Sequence, residues 1–362
     1  MKAAVLALLS GLAVAGSASA LVQAYDWGDT RDAWAKDAEF ADTKALCRQV
    51  KTTPFPLADR AAPMEFLKAE SGRGVVFKAE SLKGCDAEAL YYGIGMRPDP
   101  ARARQCAYSQ LGAKGDGAGF GPKTILMTIY ANGRGAERDL DLAIRLACSL
   151  DAAPAEFDAR IGHLAELKKL PVKPAKPFDF CDDITSGLAG GQCAAHQKAI
   201  DDARRKARIE VLAQHWTIQQ KQAFSLLEKA KTDFFIARGG EEIDSAGAAR
   251  QAFQIEELQR REDLFQAFLE RLEKGQGIRS TRSDFQAADR DINIVYRQIQ
   301  ERRDLDNGAV TRSNIQDVQR LWTIYRDAWM AFAKVRYPEV PQDAVAATLT
   351  LERINMLRKF ST

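Results

Sequence analysis

Residues 194–238 read AAHQKAIDDARRKARIEVLAQHWTIQQKQAFSLLEKAKTDFFIAR, without a single proline or glycine. A stretch this long and free of helix breakers predicts helix rather than strand. Ile209, Leu212, Trp216, Gln219, Ala223, Leu226 and Leu227 form an apolar-biased face, with Lys, Arg and Glu elsewhere. Toward the C-terminus the same texture continues. Helices are expected at Ser245–Lys274, Ser283–Leu305, Thr311–Tyr337 and Gln342–Phe360, with Ser283 and Ser313 as local caps. Long helices separated by short breaks predict an antiparallel bundle, and the fold class is all-α.

Upstream the helices shorten and pair. Asp42–Val50 is one expected helix, and Gly72–Ala79 is either a strand or another turn of helix. Asp86–Tyr92 leads through Gly93-Ile94-Gly95 into Ala101–Gln110. Thr124–Tyr130 leads through Gly133-Arg134-Gly135 into Leu140–Leu150, with Asp139 as cap. Gly93, Gly95, Asp99, Ala103 and Ala107 recur as Gly133, Gly135, Asp139, Ala143 and Ala147, at a constant offset of 40. Glu156–Leu170 is the first helix of a third pair. Such a period predicts stacked helix pairs. The motif Ile129-Tyr130-Ala131-Asn132-Gly133-Arg134-Gly135-Ala136, with Asp139 and Asp141-Leu142-Ala143, resembles Sel1-like repeats of the tetratricopeptide class. That resemblance covers about residues 84–170 and implies protein contact rather than chemistry.

The last quarter resembles the N-terminal domain of the bacterial lysozyme inhibitor LprI family. The residues that carry the resemblance are Asp291, Asn293 and Tyr296, then Gln319, Trp322, Tyr325, Arg326, Asp327 and Ala328, and finally Thr350, Arg353 and Leu357. Residues 180–272 resemble a diverged first copy, with Gln222–Phe235 answering Gln319–Phe332. The family commonly has a cysteine shortly after the Tyr-Arg-Asp-Ala run. This chain has Trp329 and Met330 there, so packing of Trp329 is left to replace that restraint. The resulting division is a signal peptide at 1–20, an N-terminal helical extension at 21–83 and a repeat region at 84–170. A Pro/Lys-rich linker follows at 171–179, then two LprI-like units at 180–282 and 283–362.

Lys2, the apolar run Ala3–Ala15 and the small residues through Ala20 make a secretory leader, which predicts export to the bacterial periplasm. Export exposes Cys47, Cys85, Cys106, Cys148, Cys181 and Cys193 to oxidising conditions, and an even count allows three disulfides. Cys181 and Cys193, flanking a short Gly-rich turn, are the easiest local pair. The charge is close to balanced, 52 basic against 49 acidic residues, and argues against nucleic acid as a partner. No transmembrane anchor is expected, because no later stretch approaches 18 apolar residues.

Trp322, Tyr325 and Trp329 share a helix face and are expected in the core. Arg326 is expected to pair with Asp291 or Glu352, and Arg353 with a carboxylate of the preceding helix. Asn293 and Tyr296 share a face with Asp289, marking either a buried polar group or a groove. Chemistry has little support. His163, His196 and His215 lack motif partners, nothing selects an acid pair for glycan cleavage, and no C-x-x-C is present. The Gly115–Gly121 run matches no full nucleotide fingerprint. No cofactor or metal is expected. The reading is therefore an exported, non-catalytic protein-binding protein of the envelope, in its sharpest form an inhibitor of lysozyme or another wall hydrolase. Residues 237–246, with Arg238, Glu241 and Glu242, are its expected contact loop. An envelope scaffold is the second reading and a peptidoglycan-acting enzyme the third.

Overall fold

The computed structural model describes residues 38–56, 82–111, 119–170, 176–243, 247–278 and 280–361. The expected leader at 1–20 and the segment Gly72–Ala79 lie outside them, as do residues 171–175 of the expected linker. The chain divides into two compact units, one of residues 1–92 and 98–183, the other of residues 93–97 and 184–362. Among the described residues all regular structure is helical, as expected.

The first unit holds α1 (Ala41–Val50), α2 (Ala87–Tyr92), α3 (Pro100–Gln110), α4 (Pro122–Asn132), α5 (Leu140–Ala147) and α6 (Pro154–Lys169). Consecutive helices from α2 to α6 pack on one another, and α1 lies against α5 and α6. The 40-residue period is written in the hydrogen bonds. Asp99 N–H donates to Leu90 O at 2.8 Å, and Asp139 N–H to Tyr130 O at 3.0 Å. The Asp99 carboxylate accepts from Arg102 N–H at 3.0 Å, and that of Asp139 from Leu142 N–H at 2.9 Å. Ser109 and Ser149 each donate to a carbonyl three residues back. The glycine pairs at 93/95 and 133/135 all take positive φ. At Gly135 (φ 93°) a Cβ would fall 2.4 Å from Pro100 O, so the turn of one pair seats directly on the start of α3. Disulfides Cys47–Cys148 and Cys85–Cys106 staple α1 to the end of α5 and the start of α2 to α3. Cys181 and Cys193 are disulfide-bonded as well, and no free cysteine remains.

The second unit is a six-helix bundle of α7 (Gly187–Leu212), α8 (Ile218–Glu241), α9 (Arg250–Glu273), α10 (Arg282–Glu301), α11 (Arg312–Arg336) and α12 (Gln342–Leu357). α7 pairs with α9, α10 with α12, and α8 lies along α11 at the centre. One cluster of buried side chains serves them together. It runs from Trp216 through Phe224, Phe234, Phe265, Trp322, Trp329 and Phe332 to Leu357.

The sequence reading of 194–238 as one unbroken helix is corrected. The helix stops at Leu212, a 3-10 turn covers Ala213–His215, and Trp216 is extended at ψ 142°. Thr217 then opens α8 with a capping box. Its hydroxyl accepts from Gln220 N–H at 3.2 Å, and the Gln220 side chain accepts from Thr217 N–H at 3.0 Å. No proline or glycine is needed for this break, because the Thr-x-x-Gln box satisfies the freed amides. The break also rotates the apolar face. Leu226, expected inside, is 69% exposed, while Phe224 and Phe234 are buried. The expected caps Ser283 and Ser313 are likewise replaced by Thr281 and Thr311, each closing a box with the side chain three residues on.

Candidate functional site

Arg353 is the hub of the second unit. It sits in the last turns of α12 with no exposed surface. Its two terminal nitrogens donate to Glu242 Oε2 and Oε1 at 2.7 and 2.6 Å, and its Nε donates to Gln319 Oε1 on α11 at 2.9 Å. Glu242, equally buried, also accepts from Arg238 Nη1 at 2.5 Å. Arg238 Nε donates to Glu257 of α9 at 2.9 Å. Glu257 in turn accepts from Arg260 and Arg261. Burial opposes charge on Glu257, but the hydrogen bond from Arg261 and the nearby Arg238 and Arg260 outweigh it and hold the carboxyl at about 2. Four helices are thus clamped by one chain of polar groups, charged on α8, α9 and α12 and neutral at Gln319 of α11. Bidentate pairing lets a buried guanidinium and carboxylate satisfy each other.

Two expectations are corrected by this network. Arg353 pairs with Glu242 at the end of α8, three helices earlier than α11, which supplies a neutral Gln319. The expected contact loop at 237–246 is not one over its first residues. Arg238 and Glu241 belong to α8, and Glu242 is its C-cap. Arg238 is 2% exposed and Glu242 is fully buried. Glu241 is half-buried, and its carboxyl is raised by burial and by Asp317. An adjacent pair of acids at a helix end reads as a solvated tip only while the two arginines that bury it, Arg238 and Arg353, are out of view.

An open groove of about 340 Å³ lies between α10 and α11. Asn293, Tyr296, Gln319, Asp317, Arg320 and Thr323 line it. Asn293 is exposed and donates to Asp289 O at 2.7 Å. Tyr296 is half-buried. Burial raises its hydroxyl pKa, and nearby Arg353 pulls it the other way. Gln319 touches both the groove and the clamp. Asn293 and Tyr296 thus both line this concavity. Asp291 lies on the same helix, exposed, and forms no ion pair among the described residues.

The expected partners of Arg326 are also corrected. Its guanidinium lies over Trp322 at 5.2 Å and donates to its neighbour Asp327 at 2.9 and 3.0 Å, instead of reaching Asp291 or Glu352. Half-buried Arg326 lays its plane on the indole, and that contact keeps its head beside Asp327.

Trp322, Tyr325 and Trp329 are core residues, 2%, 6% and 0% exposed. Trp329 Nε1 donates to Tyr325 Oη at 2.8 Å. Its ring meets Phe268 at 4.9 Å and Phe265 at 5.1 Å, tying α11 to α9. A second polar tie lay outside the sequence reading. Glu273 ends α9 and accepts from Trp216 Nε1, Arg336 and Tyr337 Oη at 2.7–3.1 Å. Its only sequence signal is an acid at the end of a helix, where the macrodipole disfavours it unless cations meet it.

Among the described residues no group of His, Cys, Asp and Glu is placed to hold a metal ion. His163 Nδ1 lies 3.0 Å from Asp183, with its ring against Phe178. No described helix is long and apolar enough to cross a membrane.

A family model described as Lysozyme inhibitor LprI matches residues 274–357, which span α10, α11 and α12 and hold the groove and Arg353. No curated protein matches the chain. No solved structure matches it either. Over residues 274–357, then, the chain is similar to lysozyme inhibitors of that family.

Proposed function

We propose that this is an exported, non-catalytic protein of the bacterial envelope whose C-terminal bundle binds and inhibits a lysozyme-type wall hydrolase. The family match over 274–357 carries this reading. The groove supports it by offering exposed polar side chains, Asn293, Asp317 and Arg320, on two helices of the bundle. The exposed carboxylates of Asp291 and Asp317 suit a basic enzyme surface. Six paired cysteines accord with the leader read at 1–20 and with a periplasmic location.

The pairing of α7 with α9, α10 with α12 and α8 with α11 supports two related three-helix units that share one core. The 40-residue hydrogen-bond period supports Sel1-like repeats in the first unit, as a grip for a second envelope protein. The test titrates lysozyme with the full-length protein while wall lysis is followed by turbidity. Inhibition that saturates near one equivalent is expected. An unchanged rate at tenfold excess, with stable capture of another envelope protein, refutes inhibition and favours a scaffold.

A further inference from the structure

A second concavity lies between α9 and the end of α12. It encloses about 410 Å³, enough for a small ligand. The apolar slot that continues beneath it holds only about 10 Å³, less than a ligand needs. Arg238, Arg260, Arg261 and Lys359 face this cleft against two carboxylates, Glu257 and Glu352.

Glu257 is already saturated by Arg238, Arg260 and Arg261. Arg261 is 7% exposed. Its Nε donates to Glu257 at 2.8 Å, but its two terminal nitrogens donate to nothing among the described residues. Glu352 accepts no hydrogen bond and forms no ion pair among the described residues. The cleft therefore holds an excess of positive charge with a nearly buried, half-used guanidinium at its wall. Burial and then repulsion from Arg238 push Lys359 down. Burial and the neighbouring arginines, against the pull of Glu257, do the same to Arg261. A bound oxyanion relieves both.

We propose that this cleft binds a small hydroxylated organic acid, its carboxylate held by Arg261, Arg260 and Lys359 and a hydroxyl held by Glu352. A guanidinium with two free N–H groups fits a carboxylate in bidentate fashion. Glu352 is pushed up by burial, so it suits a neutral hydroxyl better than an ammonium group. Asn355 and Met356 complete the rim with one polar and one apolar wall. This site is separate from the groove and independent of hydrolase inhibition.

The test is calorimetric titration of the full-length protein with glucuronate, with glucose and inorganic phosphate as controls. Arginine Nε–H resonances report the site by NMR. Saturable one-to-one binding of glucuronate is expected, with the Arg261 resonance shifting and no response to glucose. Arg260→Gln, at a side chain 52% exposed, should keep the fold and weaken binding at least tenfold. Arg261→Gln should abolish it, with circular dichroism confirming that this variant is folded. Absence of saturable glucuronate binding, or binding indifferent to Arg260→Gln, overturns the site. Phosphate binding as tightly as glucuronate overturns the role given to Glu352.

Discussion

Arg353→Met should be the most damaging single change in the second unit. Methionine keeps an unbranched apolar stem but lacks the guanidinium, and so removes three donors at once. Two of them hold Glu242 at 2.6 and 2.7 Å, and the third holds Gln319 at 2.9 Å. Glu242 would be left fully buried with Arg238 as its remaining ionic partner. Removing one member of a buried pair costs about 3–5 kcal/mol. For a unit of this size each kcal/mol shifts Tm by roughly 2–4 °C, so a fall on the order of 10 °C is expected. Tryptophan fluorescence is a suitable probe, because Trp216, Trp322 and Trp329 are all in the core of this unit. Glu242→Gln should also destabilise. The double variant should recover at least about 1 kcal/mol of the summed loss, since contacting residues in one network couple. A melting curve within 2 °C of the parent, or strict additivity of the two changes, would refute the clamp.

Other perturbations test the rest of the architecture. Gly135→Ala should cost about 2 kcal/mol or more by chemical denaturation, because φ is 93° and the new Cβ would meet Pro100 O at 2.4 Å. Thr217→Ala should cost about 1 kcal/mol through the lost capping box, with helix content by circular dichroism almost unchanged. Glu257 is depressed to about 2 from an ordinary 4.5. Its contribution is therefore full above pH 4.5 and is lost as pH falls toward 2. Denaturant midpoints across that window should fall, and Glu257→Gln should flatten part of the slope. Replacing Cys47 and Cys148 by Ala opens a loop with a sequence separation of 101. It should lower the stability of the first unit by about 2–5 kcal/mol, read by urea melts.

Much of the fold was legible because helical periodicity is a local property. The break at Trp216 carries no proline or glycine signal, since a Thr-x-x-Gln box starts the next helix without either. The repeat was legible from its glycines, because φ values of 60–93° at Gly93, Gly95, Gly133 and Gly135 are costly for other residues. The site was only half legible. Asn293, Tyr296, Gln319 and Arg353 stood out by resemblance, and the structure brings the first three to one groove. Arg238 and Glu242 were chosen as exposed charges, yet they are buried against Arg353 of another helix. Which charges meet across 111 residues of chain depends on how helices cross, and periodicity carries no such information. The expected partners of Arg326 failed for the same reason.

Hydrogen–deuterium exchange of the full-length protein with and without lysozyme tests the central claim most directly. The account predicts new protection at residues 289–300 and 316–323, where α10 and α11 frame the groove, and none at the buried Arg238–Glu242 helix end. Protection confined to any other surface, or none at saturating lysozyme, would contradict it.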